Sequence, residues 1–121
     1  MDEIPEDELR KFVRQFLGEF KALIYEKGLL VQDRQINKHF LLELGLTEQQ
    51  REEIVLSLSV TDYHSGPIKD EYKPRDYWVF GRHIDGIELY IKIKISGRPE
   101  EEFAVCLSFH KADYPLSYPL A

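Results

Sequence analysis

Gly86-Ile87-Glu88-Leu89-Tyr90-Ile91-Lys92-Ile93-Lys94-Ile95 alternates without a break: the odd positions from Ile87 are large and apolar, the even ones Glu, Tyr, Lys and Lys. Successive side chains of a strand point to opposite faces, so the stretch predicts a strand with one buried face and one polar face. Two further strands flank it, about Tyr77–Ile84 before and Glu102–His110 after. Asp85-Gly86 is a two-residue hairpin loop for the first pair, and Gly97-Arg98-Pro99-Glu100-Glu101 joins the second. The loops fix a register. Ile84 faces Ile87, which sets His83 opposite Glu88, Gly81 opposite Tyr90 and Val79 opposite Lys92. With the longer loop, Ser96 faces Glu102, so Lys92 faces Cys106, Tyr90 faces Ser108 and Glu88 faces His110. Trp78, Phe80, Ile84, Leu89, Ile91, Ile93, Val105, Leu107 and Phe109 then share the buried side. A one-residue slip would break that agreement and a two-residue slip would preserve it.

Upstream, the period changes to that of helices. Pro5 followed by Glu6-Asp7-Glu8 opens a helix, because proline suits its first turn and acids complement its dipole. Phe12, Phe16, Phe20 and Leu23-Ile24, widened by Leu9, Val13 and Leu17, make its apolar stripe, and Gly28 stops it. A second helix runs from about Arg34 to Leu44, with Ile36, Phe40, Leu41 and Leu44 inward and Gly45 as its stop. Thr47-Glu48-Gln49-Gln50 is a capping box that opens a third helix reaching about Leu58. Leu29-Leu30-Val31 is too short to assign. Residues 59–75 read as an irregular polar loop, broken by Ser65-Gly66-Pro67 and Lys73-Pro74. The tail from 111 to 121 is proline-rich yet apolar, so it is expected to pack on the body. The expectation is one α+β domain: about three N-terminal helices on one face of a three-stranded antiparallel meander.

With 121 residues, 43% of them hydrophobic, the chain is long enough for one domain with a core of its own. The apolar runs are too short for a membrane-spanning helix. The acidic start, Asp2 to Glu8, lacks the pattern of a secretory signal. A lone cysteine, Cys106, excludes an internal disulfide and a cysteine-cluster zinc site, and a reducing cytoplasm is the expected compartment. The net charge of −6 opposes wholesale binding of nucleic acid. The acids cluster at 2–8, 48–53 and 100–102, however, which leaves Lys92 and Lys94 on the sheet with only Glu88 as carboxylate.

The polar face therefore has rows: His83–Glu88–His110, then Gly81–Tyr90–Ser108, then Val79–Lys92–Cys106 with Lys94 beyond. Two histidines flanking a glutamate have the composition of a metal site, but outer strands lie roughly 10 Å apart, so no metal or other cofactor is assigned. Cys106 and His110 are separated by roughly 13 Å of strand, too far for a catalytic pair. General acid–base chemistry on RNA suits the set better. The 2′-hydroxyl needs a base, the leaving 5′-oxygen an acid, and the phosphorane positive charge. A solvated face of cross-strand Lys–Glu and His–Glu pairs explains the same pattern without chemistry.

Leu56-Ser57-Leu58-Ser59-Val60-Thr61-Asp62-Tyr63, Tyr77-Trp78-Val79-Phe80-Gly81, Glu88-Leu89-Tyr90-Ile91-Lys92-Ile93-Lys94 and Cys106-Leu107-Ser108-Phe109-His110 together resemble the MqsR toxin family, whose members have the RelE-like ribonuclease fold. The resemblance spans roughly residues 44–118 and is strongest in the last two strands. It implies a metal-independent mRNA endoribonuclease of a type II toxin–antitoxin pair, with a cognate antitoxin, mRNA and the ribosome as partners. The family's catalytic tyrosine falls on Tyr90. Its basic residue after Ser-Phe falls on His110, a histidine where the best-known members carry lysine. A further family lysine has His64 as its stand-in. Taken with the rows of the polar face, which add Glu88, Lys92, Lys94 and His83, the expected site comprises Tyr90, His110 and Glu88 for catalysis, with Lys92, Lys94, His83 and His64 for RNA phosphate. A module that docks a protein through the sheet or the proline-rich tail, with Tyr63, Tyr72, Tyr77 and Tyr114 exposed, is the alternative. An enzyme acting on a small molecule in a pocket under residues 59–75 is a third reading.

Overall fold

A computed structural model describes residues 4–121, so the first acids of the N-terminal run, Asp2 and Glu3, lie outside the described residues. Three helices form where capping and periodicity place them: α1 Glu6–Lys27, α2 Gln35–Leu44 and α3 Glu48–Leu56. α1 buries Val13, Phe16, Leu17, Phe20 and Ile24, while Phe12 remains exposed at the edge of its stripe. α2 is rotated by one residue from the expected orientation: Asn37, Phe40 and Leu41 are buried and Ile36 is exposed. Gly45 ends it in the left-handed conformation, φ 67°, which glycine adopts without a Cβ penalty. The capping box at α3 is complete, with the Gln50 amide N–H donating to Thr47 Oγ1 and the Thr47 N–H to Gln50 Oε1.

The sheet has five strands and is mixed, which corrects the three-stranded antiparallel meander. β1 is Leu29–Val31, β2 Tyr63–Lys69, β3 Asp76–Ile84, β4 Ile87–Ser96 and β5 Phe103–Lys111, in the order β1-β5-β4-β3-β2. The three central strands are the expected ones. β1 adds a parallel edge beside β5, pairing Leu29 with Ala104 and Val31 with Cys106. β2 adds the opposite edge in place of the irregular loop. Proline is tolerated on an edge strand because one side of the ladder needs no donor. β2 takes up Ser65-Gly66-Pro67 with two register shifts along its pairing with β3. Tyr63, assigned to the surface by the docking reading, is buried at the start of β2 and packs edge-on against Trp78 and Phe80.

One sheet face meets the helices. Phe16 of α1 stacks on Trp78 with ring centroids 4.8 Å apart, and Phe40 of α2 meets Phe109 edge-on at 6.3 Å. Phe20, Phe80, Leu89, Ile91, Ile93 and Phe109 lie fully buried between these layers.

The β3–β4 register is the one the hairpin loop dictates: His83 pairs with Glu88, Gly81 with Tyr90 and Val79 with Lys92. The β4–β5 register differs. Ser96 pairs with Phe103 rather than Glu102, which turns Cys106 and Ala104 inward opposite Ile93 and Ile95 and turns Val105 away from the core. A bulge at Leu107 then absorbs one residue, so Lys92 pairs with Ser108 and Tyr90 with His110. The sum of both shifts is a two-residue slip, which returns Phe109 to the core side.

Asn37 holds the bulge. Its Nδ2 donates to the Leu107 carbonyl and to the Gln32 carbonyl, each at 3.2 Å, and its Oδ1 accepts the Phe109 amide at 3.0 Å. Beyond Val31 no β1 residue remains to pair with β5, so the buried amide takes over the ladder's work.

Candidate active site

The polar face is divided in two by the C-terminal tail. Leu116 and Leu120 are buried, and residues 116–118 cross the face above Gly81. A Cβ on Gly81 would lie 2.8 Å from Leu116 Cδ1 and would collide with the Tyr118 hydroxyl. Glu88 fastens the strap: its carboxylate accepts the Tyr118 hydroxyl at 2.7 Å and the Leu116 amide at 2.9 Å. The Tyr118 hydrogen bond, helped by the Leu116 amide, holds the Glu88 carboxyl below its ordinary pKa. His83 Nε2 lies 3.5 Å from Glu88, and His64 Nδ1 lies 2.8 Å from the Ser117 carbonyl. Glu88, His83 and His64 thus meet at the seat of the tail. Glu88 does not stand between two histidines, because the register shift sets His110 beside Tyr90 instead. Gly81→Val should unseat the strap and cost about 1–3 kcal/mol, the range for overpacking, read as a lowered urea midpoint. An unchanged midpoint would show that the tail is not held there.

The other half of the face remains open. Tyr90 and His110 stack with ring centroids 5.3 Å apart and planes 18° from parallel. His110 Nδ1 lies 2.9 Å from the Lys111 carbonyl, which can only accept, so in the neutral ring the proton sits on Nδ1 and Nε2 is the acceptor. Burial, reinforced by nearby Tyr77 and Tyr114 and opposed by Arg34, raises the pKa of Tyr90, so its phenol keeps its proton. Lys92 Nζ sits 4.0 Å from the centre of the Tyr77 ring, and burial lowers its pKa. Ser108, opposite Lys92, accepts a hydrogen bond from Arg34 Nη1 at 3.1 Å. Periodicity could not find Arg34. It lies between β1 and α2 and reaches this face because β1 pairs with β5.

Lys94 takes another part. It is 2% exposed, and its Nζ donates to Asp70 Oδ2 at 3.0 Å and to the Pro74 carbonyl at 3.1 Å, tying down the β2–β3 connection. Asp70 accepts the Tyr72 and Lys73 amides as well. The Tyr72 amide, then Lys94, lower its carboxyl to about 2. A carboxyl depressed in the folded state stabilises it above the unfolded value of about 3.9, and the contribution is lost as pH falls through the folded value. Asp70→Asn should therefore flatten the acid limb of a stability–pH curve between about pH 4 and 2. An acid limb unchanged from the parent would oppose this assignment.

Beside the open half runs a cleft of about 790 Å³, lined by Arg34, Lys73, Arg75, Lys92 and Arg98, among others, with Asp70 as its carboxylate. Arg75 is paired with Glu102 at 2.5 Å. The cleft is basic although the chain is acidic overall. Cys106 faces the core, and burial pushes its thiol up to about 12, which suits packing and not reactivity. Among the described residues no three His, Cys, Asp or Glu side chains are grouped to hold a metal ion, and no helix is long and apolar enough to cross a membrane. A scan against family models finds no match to this chain, and comparisons with curated proteins and with solved structures find none.

Proposed function

We propose that the chain is a metal-independent, cytoplasmic endoribonuclease that acts on mRNA as the toxin of a toxin–antitoxin pair, through the half of the sheet face left open by the tail. The observation that carries this reading is the stacked Tyr90–His110 pair flanked by Lys92 and Arg34. His110 Nε2 removes the 2′-hydroxyl proton. The 2′-oxygen attacks phosphorus, the bond to the 5′-oxygen breaks, and Tyr90 donates its phenolic proton to that leaving oxygen. A 2′,3′-cyclic phosphate and a 5′-hydroxyl result. Lys92 and Arg34 stabilise the added negative charge on the phosphorane. Tyr72 and Tyr114, 91% and 64% exposed, offer faces on which RNA bases stack. The reading moves Glu88 from catalysis, and His83 and His64 from phosphate binding, to seating the tail, and Lys94 from phosphate binding to holding the loop.

Incubating the purified chain with RNA and mapping the new 5′ ends tests this directly. Fragments with 5′-hydroxyl ends are expected, and a 2′-deoxy sugar at the cut position should abolish that cut. Cleavage that survives the 2′-deoxy substitution would overturn the mechanism. A non-catalytic docking module is the second reading, favoured by the same exposed Tyr72 and Tyr114. It expects intact RNA and a stable complex with a partner protein, in which both rings become protected.

A further inference from the structure

A groove of about 910 Å³ lies on the helical side of the molecule, among β1, α2 and α3. Leu29, Val31, Leu41, Leu42 and Leu46 supply apolar wall, and Arg51 of α3 also lines it. Arg51 is 6% exposed, and its Nε is buried without a hydrogen-bond partner. No ion pair among the described residues includes it. The thiol of Cys106, close enough to feel its charge, stays protonated and offers no counter-ion. A guanidinium remains charged at any physiological pH, and one as largely buried as Arg51 favours an anionic partner.

We propose that this groove is a binding site for a singly charged carboxylate on an aliphatic body, with the carboxylate on Arg51 and the hydrocarbon along the leucines. The surrounding charges select this ligand. Glu48, Glu52 and Asp33 also line the groove, and Lys38 engages Asp33 at 2.7 Å. A phosphate or a dicarboxylate would bring a second negative charge against Glu48 and Glu52. A neutral amphiphile would leave Arg51 unpaired, and a cation would be repelled by it. The groove opens on the helical side of the sheet and the proposed nuclease face on the other, with Val31 and Gln32 lining both the groove and the basic cleft.

Octanoate is the probe, followed by amide NMR and thermal unfolding of the full chain, with octan-1-ol and octylamine as comparators. Octanoate should shift the amides of Leu29, Val31, Leu41, Leu46 and Arg51 and raise Tm, as any ligand selective for the native state does. Arg51→Met, apolar and of similar length, should fold and bind octanoate at least about tenfold more weakly, the loss expected for a charged hydrogen bond. Leu42→Asp keeps Arg51, changes a side chain that is 81% exposed, and should weaken octanoate by a similar factor through repulsion. Equal binding of octanoate and octanol, undiminished binding by either variant, or no shift at millimolar octanoate would overturn the proposal.

Discussion

Tyr90→Phe and His110→Ala, made singly, should each lower RNA cleavage by about 10²-fold or more, the usual contribution of a positioned acid or base. The double variant should lose little beyond the worse single, because two groups serving one proton-transfer sequence are not additive. Phe keeps the ring stacked on His110 and removes only the hydroxyl, so Tyr90→Phe separates proton donation from packing. Far-ultraviolet circular dichroism of each variant should match the parent. Lys92→Met should reduce cleavage while leaving 5′-hydroxyl ends, since it removes charge stabilisation and no proton carrier. Undiminished cleavage by the double variant would remove both residues from the mechanism.

Asn37→Ala should be among the most destabilising single changes outside the apolar core, by about 2–4 kcal/mol. It leaves the Phe109 amide and the carbonyls of Leu107 and Gln32 without their partner, and a buried group left unsatisfied costs about 1–3 kcal/mol. Asn37→Asp should be nearly as harmful, because a carboxylate would face two carbonyl oxygens. Urea unfolding measures the loss. Because Phe109 adjoins His110, the Ala variant should also lower cleavage beyond what its folded fraction explains. A midpoint within experimental error of the parent would mean that water replaces the amide and that the bulge does not depend on it.

The alternating strand and its first hairpin are fully legible in the sequence, since a period of two and a two-residue loop leave one register. The helices are legible from their caps. The edge strands are not: Leu29–Val31 is too short to show a period, and β2 carries a glycine and a proline that read as a break. Nor is the bulge, because it depends on Asn37, which is contributed by another element and looks in sequence like an ordinary polar helix residue. That one displacement decides which neighbour Tyr90 has. Patterning finds Tyr90, His110 and Lys92, whereas Arg34 requires the parallel edge and the seat of Glu88 requires the tail.

The placement of β1 beside β5 has a consequence for the order of assembly. The three helices and β1 leave the ribosome first, yet β1 has no strand to pair with until β5 is synthesised, and the strap follows later still. Contacts between segments so distant in sequence form late and slow the search for the native state. Every residue of the proposed nuclease centre except Arg34 lies on β4 and β5. A growing chain would therefore carry no working centre until β5 had been made, and the molecule would become competent to cut RNA only after β5 had docked between β1 and β4.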